Sequence, residues 1–205
     1  MAGEFWTYLT LGWRHIIDIH AYDHLLFVMT LCVTFKPYEI KRLLILITAF
    51  TVGHSITLVL ATFNWLLLPS TWVEALIPCT IIATAAYNLY WVEKSNAEGR
   101  PVRDASADMG VHYALALGFG LIHGLGFAGY IKFLLGSEFS IWRQLLAFNI
   151  GLEIGQFCIV SVFMGVFALL LRYAGMNPRN WVMVISGAGG GIALTLLLRV
   201  LFPSN

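Results

Sequence analysis

Six ionisable residues fall within the apolar runs of this chain: Asp23, His24, His54, Glu74, His123 and Glu153. Imidazole and carboxylate together make a borderline-to-hard ligand set. It suits nickel, cobalt, zinc, iron or manganese better than copper(I), which prefers sulfur. Spacing assigns some of these residues to shared helix faces. His20, Asp23 and His24 stand three and four residues apart, and Asn149, Glu153 and Gln156 form a second polar stripe at the same spacing. Six ligands exceed what one four-coordinate ion needs. His15, His20, Asn149 and Gln156 are therefore expected to orient the ligands rather than touch the ion.

Blander readings compete with this one. Any single histidine here reads as a buried residue bonded to a neighbouring helix. Asn149 and Gln156 read as polar glue between helices, and Glu153 as one half of a structural ion pair. The six together read as metal handling, because ionisable groups at membrane depth are expensive and usually functional.

The elements that must position these residues follow from composition. The chain is 59% hydrophobic and 11% charged over 205 residues, against roughly 25% charged in soluble domains. Water cannot accommodate that much apolar surface, and a bilayer can. A net charge of +1 gives no electrostatic case for a nucleic-acid partner. Cys32, Cys79 and Cys158 lie scattered in apolar runs, which argues against a disulfide framework.

The fold class expected is all-α, a polytopic membrane helix bundle forming one transmembrane domain over residues 1–205. Its N-terminal segment, residues 1–19, is rich in aromatic residues and expected to lie at the interface. With Glu4 and no basic n-region, this segment is not expected to be a signal peptide, so insertion would rest on the first span. Six spans are predicted: Ala21 to Phe35, Leu43 to Phe63, Trp72 to Trp91, Gly110 to Leu135, Trp142 to Leu171 and Trp181 to Phe202. Pro78 inside the third predicts a kink. Residues 93–109 read as a polar cytoplasmic loop. Gly120, Gly124, Gly151, Gly155 and the run from Gly187 to Gly191 predict close helix approaches.

Eight basic residues (Lys36, Lys41, Arg42, Lys94, Arg100, Arg103, Arg172 and Arg179) fall in the odd-numbered loops. Four (Arg14, Lys132, Arg143 and Arg199) fall on the other side. The positive-inside rule then turns both termini outward. On this topology all six ionisable residues sit in the outer half of the bilayer.

The stretches GWRHIIDIHAYDHLLF, FTVGHSITL, VEALIPCTI, FGLIHGLGFA and FNIGLEIGQ occur in that order between Gly12 and Gln156. They resemble the hydrogenase/urease accessory membrane proteins, HupE/UreJ, particularly their second subgroup. The resemblance implies a bacterial inner-membrane protein, a homo-oligomer and metalloenzyme-maturation machinery among its partners besides metal ion and lipid bilayer. In the better-understood branch it implies a secondary nickel or cobalt permease. That branch has a His, five residues and then Asp-His. This chain keeps Asp23-His24 but has seven residues between His15 and Asp23. Its second signature is kept at Phe119, His123 and Gly124. Gly120 and Gly126 stand where a His and a Glu would be, which leaves Glu153 to supply a carboxylate.

Three functions fit. The first is a permease for a divalent ion such as nickel, cobalt or zinc. The second is an intramembrane zinc-dependent hydrolase, with Glu74 or Glu153 as general base and Ser55 orienting the substrate. The third is a metal-binding sensor or assembly factor. No Walker motif is present, so ATP hydrolysis by this chain is not expected. The inner half offers few ion-lining groups besides Thr84, Asn88 and His112.

Overall fold

In hydrocarbon an apolar segment must satisfy its backbone internally, which selects the helix. The computed structural model of the chain describes residues 2–18, 22–66, 68–99, 109–135 and 141–202. Among these it forms seven helices: α1 (Ala2–Ile17), α2 (Asp23–Cys32), α3 (Ile40–Thr62), α4 (Ser70–Ala97), α5 (Met109–Leu135), α6 (Ile141–Tyr173) and α7 (Pro178–Leu201). Five of them, α3 to α7, are long and apolar enough to cross a membrane. The chain is thus an all-α, multi-pass membrane protein.

Some predicted boundaries shift. Helix α4 continues to Ala97, so Glu93 to Ala97 are helical rather than loop. Residues 100–108 and His20 lie outside the described residues. Helix α2 has only 10 residues. At ~1.5 Å per residue it covers about half of a ~30 Å hydrocarbon core.

Contacts fix the helix directions. Phe63 meets Trp142, His54 meets Phe148, and Thr48 bonds Glu153, so α6 runs against α3. His24 meets His123 and Phe27 meets Phe119, so α2 runs against α5. Helix α1 runs with α6, since Gly151 touches Leu9 and Trp13 while Gly155 touches Ile16. Helix α5 runs with α3, because Gly53 packs on Leu117 and Gly124 on His54 and Thr57. Helices α1 and α2 therefore run the same way. Together they form one interrupted path, broken between Ile17 and Asp23.

Two glycine seams set these packings. In the α3–α5 seam, a Cβ on Gly53 would lie 2.2 Å from the Leu117 carbonyl oxygen, and one on Gly120 would lie 2.2 Å from that of Phe50. In the α1–α6 seam, a Cβ on Gly12 would lie 2.0 Å from the Phe148 oxygen, and one on Gly151 would lie 1.9 Å from the Leu9 oxygen. In α7 the expected close approach occurs at Gly189, against Thr30, and Gly190, against Ala85. Nothing stands near Gly187 or Gly191.

The main core gathers around Phe27, Phe35, Leu43, Leu46, Phe50 and Ile81, all buried. A second cluster of Ile16, Leu58, Phe148 and Leu152 fills the end predicted to face outward. The three cysteines are free thiols.

The seams predict a sharp position dependence. Gly53→Ala and Gly120→Ala should each destabilise the protein by about 1–3 kcal/mol, the usual penalty for overpacking. Gly118→Ala, with nothing within 4 Å of its Cβ position, should be neutral or stabilising by up to ~1 kcal/mol. Thermal unfolding in detergent reads the difference.

Candidate metal centre

The two seams and the α1–α2 break converge on four histidines. His15 lies in the last turn of α1 and His24 in the first turn of α2. His54 follows Gly53 on α3, and His123 precedes Gly124 on α5. Ring centroids lie 4.6 Å apart for His15 and His24, 5.1 Å for His24 and His123, 6.1 Å for His15 and His54, and 6.3 Å for His24 and His54. His24, His54 and His123 are 4%, 0% and 1% exposed, so water does not solvate these rings.

Phenylalanines wall the cluster. Phe127 lies 3.8 Å from His15 and stacks on Phe148. Phe27 and Phe50 lie 5.2 and 5.4 Å from His123. Three of these four rings could have been found in the sequence. Phe27 stands three residues after His24, Phe50 four before His54 and Phe127 four after His123, which puts each on its histidine's face. Phe148 carries no such signal.

Hydrogen bonding fixes two tautomers. The Phe119 carbonyl can only accept, so His123 donates its Nδ1–H to it at 2.9 Å. His24 directs its Nδ1 at the Asp23 carboxylate, 3.0 Å away. In the neutral rings this leaves Nε2 without a proton. The Nε2 atoms of His15, His24, His54 and His123, and Nδ1 of His54, are buried with no hydrogen-bond partner. A buried polar atom left unpaired costs about 1–3 kcal/mol, and four histidines share that state here. Metal-ligating histidines typically show this pattern, one nitrogen held by a carboxylate or carbonyl and the other left for the ion.

The two shortest ring spacings are those of ligands to one ion, the other two are about 1 Å longer, and the rings are not aimed at a common point. Imidazole nitrogens at 2.0–2.1 Å from a tetrahedral ion put ring centroids roughly 5 Å apart. The observed rings meet edge to face, at 71° and 67°. Among the described residues, no group of three or more His, Cys, Asp or Glu side chains is placed so that it could hold a metal ion as it stands.

The remaining sequence candidates separate. Asp23 serves His24. Glu74 is exposed and lines a cavity of about 440 Å³ together with Asp23, Tyr22 and Arg199. Glu153 accepts a hydrogen bond from Thr48 at 2.6 Å in the α3–α6 contact. Gln156 accepts from Thr51 at 2.9 Å, and Asn149 donates to the Leu145 carbonyl. Ser55 donates to the Thr51 carbonyl. His15, expected to play a supporting part, stands inside the cluster.

A second polar layer lies deeper. Asn88 on α4 donates to the Thr30 carbonyl on α2 at 2.8 Å and to the Ser186 hydroxyl on α7 at 3.1 Å. Thr30 is six residues beyond His24, roughly 9 Å along α2. Further on, His112 is buried between Phe35 and Tyr87.

A family model described as HupE / UreJ protein matches residues 1–199 of the chain. No curated protein and no solved structure matches it.

An ion that completes this cluster should stabilise the fold by linkage, by about 2.7 kcal/mol at a hundred times its Kd. Thermal unfolding with and without added nickel, cobalt or zinc should show that gain in the wild type. His54→Leu and His123→Leu should abolish it, whereas Glu74→Gln and Glu153→Gln should keep it. Without ion, His54→Leu should be neutral or stabilising, because it removes an unpaired buried imidazole.

Proposed function

The chain belongs to the HupE / UreJ family, and we propose that it is a secondary permease for a divalent transition-metal ion of the nickel, cobalt or zinc class. The observation that carries this reading is the set of four buried, unpartnered Nε2 atoms, two of them held in the ligating tautomer by Asp23 and Phe119. A neutral imidazole set without thiolate suits these ions. Closing on an ion asks the rings to turn about their side-chain torsions.

A cavity on one side of the cluster and polar groups on the other support passage over storage. A cavity at the end predicted to face outward has Glu74 in its wall together with Asp23, the carboxylate that holds His24. Beyond the cluster, Thr30, Asn88 and Ser186 place oxygen atoms at the next level. A hydrolase on the same cluster would need a carboxylate next to a metal-bound water. Glu74 and Glu153 stand elsewhere, and Asp23 is engaged by His24, which favours the permease. Binding should weaken on acidification, since a ligating imidazole must give up its proton.

Uptake of nickel, cobalt and zinc into liposomes carrying the purified protein tests the proposal. His54→Ala and His123→Ala should reduce uptake to the protein-free background. Asp23→Asn should weaken apparent affinity about 10–100-fold. Asn88→Leu should leave binding intact and slow uptake severely. Tight stoichiometric binding with no uptake would replace the permease by a metal enzyme or sensor, and no binding under any loading would remove the metal reading.

A further inference from the structure

Carboxyl groups in spanning helices are rare, and they turn into the bundle or pair with one another, because hydrocarbon offers them no partner. Glu153 on α6 is partly exposed. Among the described residues its hydrogen-bond partner is Thr48 on α3, which is itself exposed. Both lie within helices long and apolar enough to cross a membrane. At ~1.5 Å per residue, Thr48 stands ~12 Å from the start of α3 and Glu153 ~17 Å from Trp142. Because α3 and α6 are antiparallel, these distances place the pair near the middle of a ~30 Å hydrocarbon core. A carboxyl group is therefore presented on the outer surface of the bundle at mid-membrane depth.

The surface around it is apolar and regularly spaced. On α6, Leu146, Ile150, Glu153 and Phe157 follow at intervals of four, three and four residues, and the apolar members are exposed. On α3, exposed Ile45 and Val52 flank Thr48 at three and four residues. Alternating steps of three and four are those of a helix-packing seam, in which a single polar residue fixes register and the number of partners. This seam is not used inside the chain. The α6 glycines Gly151 and Gly155 turn another face of the helix to α1.

We propose that this face joins two copies of the chain, α6 against α6, with their Glu153 carboxyl groups bonded to each other across a two-fold axis along the membrane normal. Copies of a membrane protein insert in the same direction, so such an axis sets each residue opposite itself at equal depth. Hydrocarbon admits a carboxyl group as the neutral acid. That form donates through one oxygen and accepts through the other, so an identical group at the same depth is its complement. The Thr48 hydroxyl donates to Oε1, whose second lone pair is left for the proton of the partner. The interface is separate from the histidine cluster and does not rest on the metal reading.

The test places the full-length protein in liposomes over a range of protein-to-lipid ratios and counts copies by single-molecule photobleaching. The wild type should pass from monomer to dimer as its density in the membrane rises. Glu153→Leu should weaken dimerisation about tenfold, the loss of two interhelical hydrogen bonds. Glu153→Gln should stay within about twofold of the wild type, since an amide also donates and accepts. Oxidative cross-linking in a Cys79→Ala/Cys158→Ala background gives a second measure that keeps Glu153 in place. Ile150→Cys and Phe157→Cys should each link copy to copy, and Val184→Cys, exposed on α7, should not. A wild type that stays monomeric at every density, a dimer that Glu153→Leu leaves unchanged, or cross-linking through Val184→Cys alone would overturn the proposal.

Discussion

Everything at the centre of this protein depends on backbones that touch. Between α3 and α5 the Phe50 and Leu117 carbonyl oxygens occupy the space that a Cβ of Gly120 or Gly53 would fill, and the α1–α6 pair repeats the arrangement at Gly12 and Gly151. Lipid gives helices no hydrophobic drive to associate, so such close contact, through dispersion, does much of the work of assembly. It also sets the scale of the site. His54 and His123 adjoin the glycines of one seam, while Ile16, beside His15, packs on Gly155 of the other. Four imidazoles can stand within 6.3 Å of a neighbour because their helices are held this near.

Against that frame, the distribution of satisfied and unsatisfied polar groups is informative. Hydroxyls in the bundle turn back onto their own helices: Thr30 to Leu26, Ser55 to Thr51, Thr62 to Leu58 and Thr84 to Thr80. Asn88 ties three helices together. The chain thus has ready means of pairing polar atoms at membrane depth. Some buried atoms stay unpaired all the same, Asn149 Oδ1, Gln156 Nε2 and Trp181 Nε1 among them, and the Nε2 atoms of His15, His24, His54 and His123 do so side by side. Phenylalanine rings wall the cluster, so aromatic faces rather than polar groups surround these nitrogens.

The five long spans were legible in the sequence, whereas the short first one and the facing of the helices were not. Hydropathy located the five long helices within a few residues, because the hydrocarbon core demands long apolar runs. It missed the helical extension to Ala97, where polar residues continue the helix past its apolar run. Depth placed Glu74 and Glu153 level with the histidines, yet the fold turns Glu74 to an exposed cavity and Glu153 toward Thr48. In a soluble helix, apolar periodicity reveals the inward face. In a spanning helix, lipid and core are both apolar and that signal fades. The role of His15 was obscured for a different reason. Nothing in composition says that α1 runs parallel to α6 and ends beside the start of α2.

That break bears on how tightly an ion would be held. His15 lies in the last turn of α1, where unpaired carbonyls give the helix end a partial negative charge. Asp23 lies in the first turn of α2, where the partial charge is positive. The two half-helices thus oppose each other across the gap, and Asp23 neutralises the end that would repel a cation. On the proposed reading, a divalent ion among four neutral imidazoles and this one carboxylate retains net positive charge in an apolar enclosure. A storage or structural site usually cancels that charge with thiolates or further carboxylates. Leaving it uncancelled makes the bound state only moderately favourable, and conduction requires binding that is favourable enough to admit an ion and weak enough to release it. Withdrawal of Glu74 and Glu153 from the cluster therefore suits passage better than retention.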